Sequence, residues 1–159
     1  MDTEKASAFG KALSRAMFYC SKAEHCPAEV FDKLGQWEIE EEFWEDIVSI
    51  LIEENYISEK RYARAYCLDK LRYNKWGKQK IAFQLRGKKI NRSIIDLSLS
   101  EIDDLEYCRI IDREITKKHS ATKEPDAYKM RAKLTNFALS RGYDMELCNP
   151  VIDHLLSKQ

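Results

Sequence analysis

Apolar residues recur every three or four positions along most of the chain. In the stretch 5–20, Phe9, Leu13 and Met17 stand about one helical turn apart, which indicates an amphipathic helix with one apolar face. The same spacing continues through most of the remaining sequence. It predicts about nine helices, over about 5–20, 27–34, 40–54, 59–73, 78–88, 91–98, a segment through 102–115, 125–139 and a last helix from 144.

The residues at the predicted helix ends fit their positions. Ser58, Asn91 and Asp144 are of the types that cap helix N-termini, because their side-chain oxygens accept hydrogen bonds from unpaired backbone N–H groups. Gly142 suits a C-cap, where the backbone turns left-handed. Pro150 fits poorly because it stands inside the last helix, so we expect either a kink there or a helix that begins at Pro150.

The helical pattern itself repeats. Ile39, Ile90 and Tyr143 align at a period of about 50 residues, which is in the range of repeat architectures. Around these three residues, apolar side chains coincide in all or most of the units: Val30, Ile81 and Leu134; Leu34, Leu85 and Ala138; Phe43, Ile94 and Leu147; Val48, Leu99 and Ile152; Leu51, Ile102 and Leu155. The unit is therefore three helices, used three times.

Composition supports a helical architecture. Only 5 Gly and 3 Pro occur in 159 residues, and helix-forming residues are common. Units of about 50 residues bury little surface alone and gain stability by stacking on their neighbours. We predict an all-α fold, an elongated array of three tandem three-helix repeats, with modules over 1–57, 58–101 and 102–159.

Other compositional features narrow the class of protein. No apolar run approaches the roughly 18 residues of a membrane span, and the opening MDTEK lacks the apolar region of a signal peptide. We therefore expect a cytoplasmic protein without membrane contact. The five cysteines are scattered, without a C-x-x-C pair, so reduced and partly buried thiols are expected.

The distribution of charged residues along the chain is uneven. The 27 basic and 27 acidic residues cancel, yet no Asp or Glu occurs between Lys70 and Ile95. That stretch carries nine positive side chains: Lys70, Arg72, Lys75, Lys78, Lys80, Arg86, Lys88, Lys89 and Arg92. The preceding stretch from Glu24 to Glu59 holds twelve acidic residues against Lys33 alone. This asymmetry points to charged partners.

Three interpretations of the basic stretch stay open. It forms a solvated helical face, contacts phosphates with aromatic residues that stack on bases, or fits an acidic groove on a protein. Helical spacing places Arg61, Arg64 and Arg72 on an outer ridge, with Tyr66 and Tyr73 on a face that packs. On the next helix, the spacing turns three further side chains outward: Lys80, Phe83 and Arg86.

Two aromatic residues and one acidic run have alternative roles. Phe83 either contacts the neighbouring module or anchors a partner, and Trp76 either packs at a helix end or forms an exposed hot spot. The acidic run 40–46 is a solvated helix face, a mimic of nucleic-acid phosphate, or a dock for the basic module of a second molecule.

Patterns for catalysis and metal binding are weak. His25 lies near Cys20 and Cys26, but no second ligand pair completes a metal site. His119 and His154 lack an evident catalytic partner, and no Gly-rich phosphate loop, G-x-S-x-G or H-E-x-x-H occurs. We expect no catalytic residues, no metal and no cofactor, although a nuclease built from scattered carboxylates stays open.

The segment "NYISEKRYARAYCLDKLRYNKWGKQKIAFQLRGKKINRSIIDLSL" at 55–99 resembles the RecX family of recombinase regulators. "LSRGYDMEL" at 139–147 is similar to the family's third-module counterpart. Departures are Ser58 and Glu59 in place of paired Asp, and Lys89 where the family usually has Gly. The positions that match the pattern are Tyr56, Ile57, Tyr62, Ala63, Gly77, Ile81, Leu85, Lys88 and Ile90.

The resemblance implies a regulator made of three-helix repeats that acts without catalysis or cofactor. Its implied partner is the RecA-type recombinase filament on single-stranded DNA, and its binding in the filament groove lowers ATP hydrolysis and strand exchange. We expect a monomer whose outer modules bridge neighbouring recombinase protomers, and direct contact with single- or double-stranded DNA stays open. The alternatives are a helical-repeat DNA-binding protein that acts without a recombinase and a helical scaffold for another acidic protein. The residues predicted to bind the partner are Arg61, Arg64, Lys70, Arg72, Lys75, Trp76, Lys78, Lys80, Phe83, Arg86, Lys88, Lys89 and Arg92.

Overall fold

The structure, a computed structural model, describes residues 2–158, and these residues form helices and turns without a strand. The all-α prediction is confirmed. The helices are α1 (Thr3–Lys22), α2 (Pro27–Gln36), a single 3₁₀ turn (Glu41–Phe43), α3 (Trp44–Glu53), α4 (Glu59–Arg72), α5 (Lys78–Gly87), α6 (Arg92–Ser100), α7 (Asp104–Ala121), α8 (Ala127–Arg141) and α9 (Met145–Ser157). In chain order they form three groups of three: α1–α3, α4–α6 and α7–α9.

The same helix ending occurs in all three groups. Glu38, Lys89 and Gly142 have left-handed backbones, with φ of 58°, 63° and 83°. The residue after each donates its backbone N–H to the carbonyl five positions earlier, at 3.0, 3.2 and 3.0 Å. This bond is typical of a Schellman motif, which pairs carbonyls that a helix end leaves free. The three donors are Ile39, Ile90 and Tyr143, the residues that set the sequence alignment.

Most predicted caps are confirmed. The side chains of Ser58 and Asn91 accept hydrogen bonds from backbone N–H groups in the first turns of α4 and α6. Asp144 holds the N-cap position of α9 but makes no capping hydrogen bond. Its carboxylate instead accepts a hydrogen bond from Nε2 of Gln79, at 3.2 Å, so it joins the second group to the third.

One predicted helix start is wrong, and one of the two alternatives for Pro150 is excluded. The segment expected to be helical from about Glu40 forms a single 3₁₀ turn first, and the α-helix begins at Trp44. The last helix does not begin at Pro150, because α9 starts at Met145 and continues through the proline. A proline inside a helix removes one main-chain hydrogen bond, and here it does so at an exposed position.

The buried side chains form two clusters. One fills α1–α3 and includes Ile57 from the following turn. The other runs without interruption through α4–α9 and includes Cys26 from the start of α2. The accessible surface of 9934 Å² exceeds the about 8,300 Å² expected of a compact 18.7 kDa monomer, which supports an elongated array. The predicted boundaries after 57 and 101 lie in the turns before α4 and α7, and they stay predictions.

The second and third groups meet through two glycines. The N–H of Gly77 donates to the carbonyl of Arg141 at 2.6 Å, and the N–H of Gln79 donates to the carbonyl of Gly142 at 3.0 Å. A Cβ on Gly77 would overlap the carbonyl of Gly142, and a Cβ on Gly142 would overlap Lys80. The two backbones therefore touch directly, and both positions require glycine.

Candidate partner-binding surface

Two of the thirteen candidate residues hold the first group against the second. Nε of Arg61 lies 3.0 and 3.1 Å from the two carboxylate oxygens of Glu24. Nζ of Lys88 lies 3.1 Å from Oε2 of Glu29. Arg61 and Lys88 are thus neutralised by carboxylates of the preceding acidic region. In the turn between the groups, Arg61 also donates hydrogen bonds to the side-chain and backbone oxygens of Asn55 and to the backbone carbonyl of Tyr56.

Glu29 is the centre of this junction. Its half-buried carboxylate accepts hydrogen bonds from Nδ1 of His25 at 2.9 Å, from Nζ of Lys88 at 3.1 Å and from the hydroxyl of Tyr62 at 3.1 Å. Burial acts to raise the pKa of Glu29, but these hydrogen bonds outweigh burial and the pKa lies below its ordinary value of 4.5. The ionised carboxylate therefore stabilises the contact between the groups.

We predict that Glu29→Gln lowers the free energy of unfolding by about 1–2 kcal/mol at neutral pH, because three donors lose a charged acceptor. The pKa of Glu29 is depressed by folding, so its contribution is present above the ordinary value of 4.5 and is lost as the pH falls through the lower folded pKa. Denaturant unfolding of both proteins along a pH series measures the difference.

The matched control is Glu53→Gln, at an exposed position at the end of α3. It is expected to change the unfolding free energy by less than about 0.5 kcal/mol at every pH. A Glu29→Gln effect that stayed constant from neutral to acid pH would contradict the assigned role of the Glu29 charge.

Two further candidates form ion pairs along the outer side of α4. Arg64 makes two hydrogen bonds to the carboxylate of Glu101, at 2.8 and 3.1 Å. Arg72 does the same with Glu106, at 2.8 and 3.3 Å. Both arginines are exposed, as predicted, but their bidentate pairing ties α4 to the helices that follow. Tyr73 does not pack as predicted: it is 82% exposed, because α4 ends at Arg72 and the chain turns away.

A cluster of cations surrounds Trp76 in the turn between α4 and α5. The ammonium groups of Lys70 and Lys80 lie 5.0 and 4.7 Å from the centre of the Trp76 ring. The ring of Tyr66 is 6.4 Å from that of Trp76, and Lys70 also lies 5.3 Å from Tyr66. Cations over ring faces attract the ring quadrupole. Trp76 is half-buried against the core, as expected of a residue at a helix end, but it also keeps part of its ring near solvent.

The remaining candidates lie around α5 and α6. Phe83 points outward, as predicted, and is 66% exposed, with the guanidinium of Arg86 at 6.0 Å from its ring. Lys78 donates its backbone N–H to the hydroxyl of Tyr107 at 3.0 Å, which fixes the start of α5. The ammonium of Lys75 contacts the carbonyl of Arg72.

A groove of about 540 Å³ separates α5 from α6 and from the start of α9. Its floor is apolar, and three cations and two carboxylates stand at its edges: Lys78, Arg86, Arg92, Asp96 and Asp144. Arg92 is 3.9 Å from Asp96 and almost fully exposed, so this pair is weak. Within residues 2–158, six candidate cations form no ion pair: Lys70, Lys75, Lys78, Lys80, Arg86 and Lys89. These six are called the unpaired cations below.

Other chemistry is limited in the part of the chain that the structure describes. It contains no group of three or more His, Cys, Asp or Glu side chains arranged to hold a metal ion. It also contains no helix with the length and apolar character to cross a membrane. The five cysteines are unpaired, and only Cys108 is exposed. Burial, with the nearby charge of Glu101, raises the pKa of the Cys67 thiol to about 12, which keeps it protonated at neutral pH.

Comparison with known proteins places this arrangement in a family. A family model described as RecX, second three-helix domain, matches residues 58–99, and one described as RecX, third three-helix domain, matches residues 106–152. The chain belongs to the RecX family. The regulatory protein RecX of Clostridium perfringens (strain 13 / Type A) is 31% identical over 157 residues, which are 98% of this chain and 73% of the relative. That of Clostridium acetobutylicum is 32% identical over 151 residues, 92% of this chain and 70% of the relative.

Solved RecX structures share the fold. A crystal structure of regulatory protein RecX superposes with a TM-score of 0.86 at 21% identity, over 96% of this chain and 80% of the other. The crystal structure of RecX from Lactobacillus salivarius superposes with a TM-score of 0.77 at 23% identity, over 94% of this chain and 97% of the other. The three-helix groups described above are thus the RecX architecture.

The backbone conformation of Lys89 bears on one departure of this sequence from the RecX pattern. The resemblance implies Gly at the position of Lys89, and the φ of 63° at this residue is left-handed. The position needs this conformation to end α5, which glycine adopts at the lowest cost. The departure therefore leaves the turn unchanged.

The carboxylate partners of the cations were not predictable from the local sequence. Glu101 and Glu106 lie outside the basic stretch, and no local pattern connects them with α4. Nor did the sequence predict a role for Phe137 or for Arg141 of the third group, whose Nη1 reaches the carbonyl of Lys75, next to Trp76, at 3.5 Å. One signal was available for Arg141: the repeat alignment places it at the position of Lys88 in the second group.

Proposed function

We propose that this RecX-family chain regulates a RecA-type recombinase, without catalysis, by binding the recombinase filament on single-stranded DNA and inhibiting its ATP hydrolysis and strand exchange. The single observation that carries the site assignment is the set of unpaired cations in the second group, where Lys70 and Lys80 lie over half-buried Trp76 and Arg86 lies beside exposed Phe83, in the region that matches the family model at 58–99.

The shape of this region suits a protein surface with carboxylates. The groove between α5 and α6 offers apolar contact at Ala82, Ile95 and Leu99, and Arg86 and Arg92 stand at its edge. Phe83 supplies a large exposed ring next to this groove. An apolar centre with charged residues around it is the usual anatomy of a protein–protein interface. The first and third groups then extend along the filament and bridge neighbouring protomers.

The proposal assigns different roles to the thirteen candidates. The unpaired cations, with Trp76, Phe83 and Arg92, contact the filament. Arg61, Arg64, Arg72 and Lys88 hold the fold instead, because each already has a carboxylate partner within the chain. Reversing the charge of Arg64 or Arg72 would therefore place two glutamates against each other and disturb the fold together with the site.

Capture on immobilised DNA tests the proposal. Biotinylated single-stranded DNA on beads is presented bare or coated with a RecA-type recombinase held by a non-hydrolysable nucleotide. We predict that this protein is retained in far larger amount on the coated DNA at moderate salt. Equal retention on bare and coated DNA would favour a DNA-binding array without a recombinase, and no retention on coated DNA would contradict filament binding.

A further inference from the structure

The third group carries its own cluster of cations and an aromatic ring, outside the candidate surface described so far. The guanidinium of Arg141 lies 4.7 Å from the centre of the Phe137 ring, and the ammonium of Lys118 lies 5.7 Å from it. A cleft of about 240 Å³ opens between α7 and α8 at this ring, with Lys117, Lys118 and Arg141 at its walls. One carboxylate, Glu114, also lines the cleft.

Glu114 does not cancel the charge of this cleft. It is almost fully buried and pairs with Arg141, whose Nη1 lies 3.2 Å from its carboxylate. This ion pair holds the guanidinium over the ring of Phe137, so the charge of Arg141 is already neutralised within the chain. Lys117 and Lys118 are exposed and form no ion pair with any residue between 2 and 158. Two positive charges therefore remain available at the edge of the cleft.

The cleft adjoins the turn that carries Trp76 in the second group. Nη1 of Arg141 reaches the carbonyl of Lys75, the residue before Trp76, at 3.5 Å. From the other side, Nζ of Lys80 reaches the carbonyl of Ser140 at 3.4 Å. The backbone contact between Gly77 and Gly142 holds these side chains together. We call this surface the mixed strip: Tyr66, Lys70, Trp76, Lys80, Phe137, Lys117 and Lys118.

Each ring of the mixed strip has a cation against it. Lys70 lies between Tyr66 and Trp76, within 5.3 Å of both ring centres. Lys80 lies 4.7 Å from the centre of the Trp76 ring, and the paired Arg141 lies 4.7 Å from that of Phe137. A single-stranded nucleic acid matches this combination of groups, because its phosphates bind cations and its unpaired bases stack on aromatic faces. A carboxylate surface on a protein would use the cations but leave the rings without a matching partner.

We propose that the mixed strip binds single-stranded nucleic acid directly, with the α7–α8 cleft as a subsite that continues the Trp76 cluster onto the third group. This deepens the proposed function, since the filament contains single-stranded DNA, but it is tested without a recombinase. The lysines neutralise the phosphate backbone, and Trp76 and Phe137 stack on bases.

The test is fluorescence anisotropy of a labelled oligothymidylate over a salt series. The wild-type protein is expected to bind, with affinity that falls steeply as salt rises. Lys117→Gln with Lys118→Gln is expected to weaken binding about tenfold and to reduce the slope of log K against log salt by about 1.4, from two lost phosphate contacts. Phe137→Leu keeps apolar volume and is expected to weaken binding about fivefold with the slope unchanged.

The matched control removes two exposed lysines elsewhere on the third group, Lys129→Gln with Lys158→Gln, and is expected to stay within about twofold of wild type. Far-ultraviolet circular dichroism checks that each variant is folded. No binding by the wild type at low salt, or equal binding by the Lys117 and Lys118 variant, overturns the inference. Loss of filament capture with intact oligothymidylate binding in that variant also overturns it, because the strip would then meet the recombinase. If the wild-type protein is captured on the filament but does not bind oligothymidylate, the inference fails and the proposed function is unaffected.

Discussion

Gly77→Ala is expected to destabilise the protein by about 3 kcal/mol, which corresponds to a melting temperature lower by about 10 °C. The added Cβ would overlap the carbonyl of Gly142. Neither atom can move alone, because both belong to backbones fixed by the hydrogen bonds of Gly77 and Gln79 across the contact. Relief requires the second group to separate from the third, which would open the core shared by α4–α9. Calorimetry or thermal circular dichroism measures the effect.

The control is Gly87→Ala, at the last residue of α5, the helix whose N-cap is Gly77. A Cβ there meets nothing within 4 Å, and the φ of Gly87 is not left-handed. Alanine at such a position reduces the freedom of the unfolded chain, so this variant is expected to be more stable by about 0.5–1 kcal/mol. Equal melting temperatures for the two variants would show that the glycine contact does not hold the second and third groups together.

Local rules made the helices and the repeat predictable. The caps at Ser58 and Asn91 depend on a few consecutive residues, and the Schellman endings at Glu38, Lys89 and Gly142 follow the period of the apolar residues. Helical periodicity gave a wrong prediction at the end of α4. Helical spacing extended one face to Tyr73, although α4 ends one residue earlier and leaves its ring in solvent.

The candidate surface was predictable as a region and not as a set of roles. The run of cations marked the second group, but Arg64 and Arg72 pair with Glu101 and Glu106, which lie 37 and 34 positions further along the chain. Such pairs exist only once α4 packs on the following helices. The approach of Arg141 to the turn before Trp76 depends in the same way on a contact between groups, which no local pattern encodes.

A charge-reversal variant isolates the proposed filament contacts. Arg86→Glu, Lys89→Glu and Arg92→Glu change three exposed side chains; within residues 2–158 only Arg92 forms an ion pair, the weak one with Asp96 at 3.9 Å. A glutamate at 92 also stands at the first position of α6, where the helix dipole favours negative charge. We therefore expect a folded protein with filament affinity reduced at least about hundredfold, since attraction to carboxylates becomes repulsion.

Its matched control carries the same total change of charge on other exposed lysines: Lys11→Glu, Lys129→Glu and Lys158→Glu. If binding depended only on net charge, the two triple variants would lose affinity equally. The proposed site predicts a loss confined to the variant on α5 and α6, measured by capture on recombinase-coated DNA. Similar losses in both variants would refute the site.

The most direct measurement is the steady-state rate of single-stranded-DNA-dependent ATP hydrolysis by a RecA-type recombinase, with this protein titrated in at fixed, moderate salt. The account predicts inhibition at well below one copy per recombinase protomer, strongly weakened in the Arg86, Lys89 and Arg92 variant and retained in its control. A rate that stays unchanged up to an excess of the wild-type protein would contradict regulation of the recombinase by this chain.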